Sequence, residues 1–156
     1  NEIHNRWGGR IRDYQRKVYY IYGAPLSGKS TFVKENMQQG DLVYDIDKMW
    51  EALSGEPEFI KPSSIKDILF DVTRTVIDDI KMRSGNWQNA WVIEGGALIG
   101  DRKRRIESLG AESIFIDTPK EKCLERLYND KNRSAVINQW ESYILNWFKT
   151  YQPDEI

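Results

Sequence analysis

The segment Gly23-Ala24-Pro25-Leu26-Ser27-Gly28-Lys29-Ser30 constrains this chain more than any other, because two glycines bracket a four-residue turn that closes on a lysine and a hydroxyl. It follows the apolar, β-rich run at 18–22 (VYYIY) and opens a stretch of helical character that stops near Gly40. A strand that turns this sharply into a helix points successive main-chain N–H groups into one concavity, to which the helix N-terminus adds partial positive charge. Glycine at both ends permits the curl. Such a concavity suits a polyphosphate. Lys29 is placed to neutralise the outer phosphate oxygens, and the Ser30 hydroxyl to ligate Mg2+, which keeps most of its shell as water and phosphate. The expected nucleotide-binding residues are Gly23, Ala24, Leu26, Ser27, Gly28, Lys29, Ser30 and Thr31. The expected cofactors are ATP and Mg2+, ATP being preferred to GTP because no N-K-x-D guanine motif occurs.

The rest of the chain alternates short apolar runs with helical patterns. Runs at 42–46 (LVYDI), 90–94 (AWVIE) and 113–117 (SIFID) read as further strands. Between them, Ser64 to Asp67 forms an S-x-x-D start signal, and Ile65, Ile68, Leu69, Val72, Val76 and Ile80 recur at helical spacing until Ser84-Gly85-Asn86. A helix at 101–109 ends at Gly110, and Thr118-Pro119-Lys120-Glu121 combines a capping box with proline at the first helical position. Val136, Ile137, Trp140, Ile144, Trp147, Phe148 and Tyr151 line one face of a last helix and read as core. Alternation of this kind implies an α/β fold, a parallel sheet covered by helices on both faces.

With 156 residues, the chain suits one domain, and 40% hydrophobic with 30% charged residues suits a folded one. The single Cys123 reads as packing, and with one His it excludes a disulfide framework and the usual zinc ligand sets, so a metal here is oxygen-bound. No apolar run approaches a membrane span, and 1–17 lacks the apolar centre of a secretory signal, so a cytoplasmic protein without membrane contact is expected. The net charge of −1 announces no nucleic-acid partner. Residues 1–17 carry Arg6, Arg10, Arg12, Arg16 and Lys17 against Glu2 and Asp13 and read as a solvated basic arm ahead of a domain at 18–156.

In open α/β sheets, ligands sit beyond the carboxyl ends of the strands, and three of those ends here carry acids. The second strand ends on Asp45 and Asp47; Asp47 is expected to be the general base toward an acceptor hydroxyl, or the cap of the next helix, and Asp45 to support hydrated Mg2+. Glu94 ends the third strand where an acid can hold the metal's water shell, and Gly95 and Gly96 either offer amides to an anionic acceptor or make a plain tight turn. Arg102 is expected to reach the acceptor's phosphate. The run near 126–134 has the composition of a mobile lid, with Arg126, Lys131 and Arg133 able to close over the phosphates.

The segments GAPLSGKST, YDID, the acid-Gly-Gly turn and IDTPKEKCLERL, in that order, resemble the small P-loop kinases, particularly their polynucleotide 5′-kinase-like branch, which includes small bacteriophage proteins. The resemblance covers about residues 18–133 and implies a P-loop NTPase three-layer αβα fold whose parallel sheet has four strands, or five with the family's usual last one, strand one being central. It implies Lys29 and Ser30 at the phosphates, Asp47 as base, and Arg126 and Arg133 as lid arginines. Trp50 stands where that branch usually carries an arginine, and Glu94-Gly95-Gly96 is more like the turn of shikimate-type kinases. The expected activity is ATP- and Mg-dependent phosphoryl transfer to a nucleoside, a nucleotide or a nucleic-acid 5′ end, with the oligomeric state open. The alternatives are an ATP-hydrolysing regulatory or assembly module without an acceptor, and a small-metabolite kinase of the shikimate type.

Overall fold

A computed structural model describes residues 16–154. In chain order the elements are β1 (Lys17–Tyr22), α1 (Lys29–Asn36), β2 (Leu42–Asp45), α2 (Ile46–Ser54), α3 (Lys66–Lys81), β3 (Asn89–Glu94), α4 (Ile99–Leu109), β4 (Glu112–Phe115), α5 (Lys120–Tyr128) and α6 (Ile137–Thr150), with 3-10 turns at Ser63–Ile65 and Lys131–Val136. The strands form one sheet in the order β2-β3-β1-β4, every pair parallel. Strand β1 is therefore internal, and no fifth strand occurs among the described residues.

Because successive strand residues face opposite sides, β1 feeds two cores. Val18, Tyr20 and Tyr22 pack with Tyr44, Val92, Ile77, Ile80 and Leu109 on the side of α3 and α4. Ile21 packs with Trp91, Ile93 and Val33 on the side of α1. A third cluster joins Ala24 to Cys123 and Leu127 of α5 and to Trp140, Ile144 and Trp147 of α6, so the aromatic stripe and the cysteine are core. Trp50 is likewise buried in α2.

Local details depart from the sequence reading in instructive ways. Ser64 does not cap α3, whose first helical residue is Lys66, and Ile68 lies outside the core while Ile77 lies inside. Pro119 is the cap residue of α5 rather than its first turn, and no capping box forms, because the Thr118 hydroxyl instead donates to the Ser27 carbonyl at 2.7 Å. Residues 1–15 of the expected arm lie outside the described part. Arg16 and Lys17 belong to the fold: Arg16 donates to the carbonyls of Trp87, Arg83 and Gly85 beyond the end of α3, and Lys17 begins β1 and pairs with Glu112.

Arg102 is the largest correction. Its side chain is 1% exposed, and its guanidinium donates to the carbonyls of Gly96 (2.6 Å) and Gln152 (2.7 Å) and to Asp154 (2.8 Å), between the rings of Tyr22 and Tyr151. It ties the turn after β3 to the end of the described chain through both terminal nitrogens of its guanidinium. Replacing it with methionine leaves those carbonyls unpaired in a low-dielectric interior, and a loss of about 2–4 kcal/mol in unfolding free energy is expected in urea titrations. A loss below about 0.5 kcal/mol would contradict the strut role.

Candidate active site

The loop 23–30 leaves β1, turns, and enters α1 with a backbone that side chains rarely adopt. Gly28 has φ 104°, and Leu26 has φ 63° without being glycine, a strained value of the sort that concentrates at ligand-binding loops. The loop is held from several directions. Gly23 N–H donates to Gly95 O (3.2 Å), Ser27 N–H to Ala24 O (3.1 Å), and Arg126 Nη1 to Leu26 O (2.9 Å). A Cβ on Gly23 would sit 2.8 Å from both Ile116 O and Ser27 Oγ. Gly23→Ala must therefore push the loop off β4's extension; a loss of about 1–3 kcal/mol in stability and weaker nucleotide uptake are expected, read by melting with and without nucleotide. Unaltered melting would show that the loop yields freely.

Lys29 folds back over this loop, its Nζ donating to Gly23 O at 2.7 Å and Ala24 O at 2.8 Å. Burial pushes its ammonium down to about 8, against an opposing pull from Asp47 and Asp45. A cation so poorly solvated and so near open amides is suited to an anion. Gly23 and Ala24 are buried beneath it and do not reach the open cleft, which begins at Pro25. Ser27 Oγ is buried without a hydrogen-bond partner.

The cleft above the loop has a volume of about 900 Å3 and brings together Leu26 to Thr31, Asp45, Asp47, Glu94, Gly95, Arg126 and Arg133. Asp45, rather than Asp47, caps α2: its Oδ1 accepts from Asp47 N–H at 3.0 Å, while its Oδ2 accepts from Ser30 Oγ at 2.8 Å. Burial, then the charge of Asp47, raises the Asp45 carboxyl above its ordinary value, and the bond from Ser30 opposes this. Asp47 is left facing the cleft from the first turn of α2, paired with Lys61 Nζ at 2.9 Å.

Glu94 lines the same cleft, but its carboxylate is engaged by another side chain. It receives Arg105 through both oxygens, Nε at 3.1 Å and Nη2 at 3.2 Å, and no cluster of three acidic, His or Cys groups able to hold a metal occurs among the described residues. Arg105 neutralises the Glu94 carboxylate, so a place in a metal's water shell would require Glu94 to share its charge with Arg105. Gly95 lines the cleft, but its carbonyl is taken by Trp147 Nε1 at 3.0 Å, whereas Gly96 lines a separate cavity beside α4. Arg133 pairs with Asp130 and approaches Glu58 (3.8 Å), with its guanidinium 4.8 Å from the Trp140 ring.

Sequence reasoning missed Lys61, Glu58 and Tyr143, which also line the cleft. Lys61 and Glu58 lie in the connection between α2 and α3, which carries no motif, and Tyr143 falls outside the stripe that packs α6.

A three-layer αβα chain with this strand order and this loop defines the P-loop kinase fold, and the solved structures it resembles carry that fold. A chain of the Pnkp1/Rnl/Hen1 RNA repair complex aligns at TM-score 0.59 and 15% identity, over 90% of this chain and 48% of the other. This chain thus spans about half the length of that relative. Shikimate kinase from Acinetobacter baumannii, in complex with shikimate, aligns at TM-score 0.51 and 18% identity, over 90% and 85%. A gluconokinase from Sinorhizobium meliloti 1021 aligns at 0.52 and 14%, over 90% and 78%. No family model and no curated protein matches the sequence. No helix among the described residues is long and apolar enough to cross a membrane.

Proposed function

We propose that this protein transfers the γ-phosphoryl group of ATP to a hydroxyl on a nucleoside, nucleotide or nucleic-acid 5′ end. One observation carries the reading: a single cleft holds the curled loop with its lysine and an aspartate, Asp47, that is spared from capping α2 and held by Lys61 in a partly exposed ion pair. The P-loop kinase fold supports the reading without naming an acceptor.

In this reading the amides of 26–31 and Lys29 hold the triphosphate, and Arg126 and Arg133 meet its outer charge from the α5 end. The donor set fits Mg2+: Ser30 Oγ and an Asp45 carboxylate whose burial a cation would relieve are hard oxygens 2.8 Å apart, and water and phosphate fill the remaining positions. When bound, the ion supplies charge neutralisation on the phosphate oxygens. Asp47 takes the proton from the acceptor hydroxyl. The acceptor oxygen bonds the γ-phosphorus, the bond from that phosphorus to the bridging oxygen breaks, and ADP leaves with the electron pair. The run near 126–134 serves as the closing element, and a cytoplasmic setting suits an ATP-dependent enzyme.

The test is incubation with γ-labelled ATP and a panel of 5′-hydroxyl oligonucleotides, nucleosides, nucleoside monophosphates and shikimate. Label on a nucleoside-type acceptor supports the reading. Free phosphate with no labelled acceptor would favour the ATPase alternative, and label on shikimate alone the small-metabolite one.

A further inference from the structure

We infer that Lys61 is the contact for an anionic group on the acceptor, and that it holds Asp47 closed until such an acceptor arrives. This rests on the phosphoryl-transfer reading and deepens it. The preferred substrate is a hydroxyl carried beside a phosphate or carboxylate, rather than a neutral alcohol.

Lys61 Nζ lies 2.9 Å from Asp47 Oδ1, on the acid that the reaction needs as a base. A carboxylate engaged by an ammonium has less of its lone-pair capacity available to a hydroxyl, so transfer requires the lysine to let go. The pair is open to do so: Lys61 is 27% and Asp47 38% exposed, and ion pairs in such settings contribute little net stability. A phosphate with several acceptor oxygens competes well for the same ammonium.

The other cations of the cleft are assigned to the triphosphate in the proposed reading, and in its absence they rest on other partners. Lys29 is on the loop carbonyls, Arg126 on Leu26 O, and Arg133 between Asp130 and Glu58. Glu58 also holds Lys48 at 2.8 Å. Lys61 is also positioned sideways. Its ammonium stands 5.2 Å from the ring of Trp140 and 5.9 Å from that of Tyr143, both of which line the cleft. Leaving Asp47, the ammonium stays over an aromatic surface that favours a cation, so it moves within the acceptor end of the cleft and not into solvent.

The experiment compares matched acceptors that differ chiefly by one charge: a nucleoside 3′-(methyl phosphate) against its nucleoside, and shikimate against its methyl ester. The first pair asks for a phosphate and the second for a carboxylate. Wild type, Lys61→Met and Lys61→Arg are assayed, with calorimetric Mg-ADP binding as a control that each protein is folded. In wild type, the charged member of at least one pair is preferred by about 30-fold in kcat/KM, the worth of one charge-assisted contact. Lys61→Met collapses that preference to within about threefold, and Lys61→Arg restores most of it. Equal losses on both members, or an undiminished preference in Lys61→Met, would overturn the inference while leaving the kinase reading intact. Wild type that binds Mg-ADP yet labels neither these four acceptors nor the oligonucleotides and nucleoside monophosphates of the wider panel defeats the kinase reading, and this inference with it.

Discussion

Methionine at position 29 is expected to abolish nucleotide retention while making the unliganded protein more stable. The ammonium of Lys29 is held against two loop carbonyls, with burial pushing it down to about 8. In the absence of phosphate its charge is a cost, and with phosphate it becomes the main compensating cation. Removing it should weaken Mg-ATP binding by about 100-fold or more and transfer by about 1,000-fold or more. The same change should add about 1–2 kcal/mol to unfolding free energy in urea, since the relieved desolvation outweighs two modest hydrogen bonds. The pH dependence carries a sign. The folded-state value lies below the ordinary 10.5, so between about pH 8 and 10.5 the unfolded chain holds a proton that the folded chain has released. Wild-type stability therefore gains from this group as pH rises through that window, the penalty being fully present below it. Lys29→Met lacks the gain, and its advantage should shrink toward pH 10.5. A variant that binds nucleotide as wild type does would remove Lys29 from the site, and one with an unchanged advantage across the window would remove the burial argument.

The second large effect is expected at Asp47. Asn at this position keeps the shape and the N–H that reaches Asp45, but it accepts no proton from a hydroxyl. Loss of a positioned general base costs about 100- to 10,000-fold in kcat. The Kd for Mg-ATP should change by less than about threefold, because in the proposed reading Asp47 serves the acceptor hydroxyl rather than the triphosphate. Single-turnover transfer beside calorimetric nucleotide binding separates the two quantities. Transfer at the wild-type rate would show that no carboxylate base operates and would leave Asp47 as a partner of Lys61 only.

Much of the architecture was legible because it depends on periodicity and on local turn chemistry. Apolar runs with no alternation predict strands covered on both faces, and all four expected strands occur, with ends shifted by one or two residues. The loop at 23–30 was legible for the same reason, since its glycine spacing and its place between strand and helix are local properties. Long polar side chains were read less well. Arg102 and Arg105 sit in one helical run, yet one is a buried strut and the other neutralises Glu94. Sequence spacing shows which face of a helix a residue takes, but it does not show what stands opposite.

The chain's own sequence thus determined the strand-turn-helix at 23–30, the alternation that builds a parallel sheet, and the aromatic stripe that seats α6. Tertiary structure alone decided that Asp45 caps α2 and leaves Asp47 to the cleft, that Arg105 claims Glu94, and that Lys61 from a motifless connection covers the prospective base. The physical reason is range. Backbone geometry and hydrophobic periodicity act between near neighbours in the chain, whereas the partner of a charge is whichever group the fold brings within about 3–4 Å, at any sequence separation.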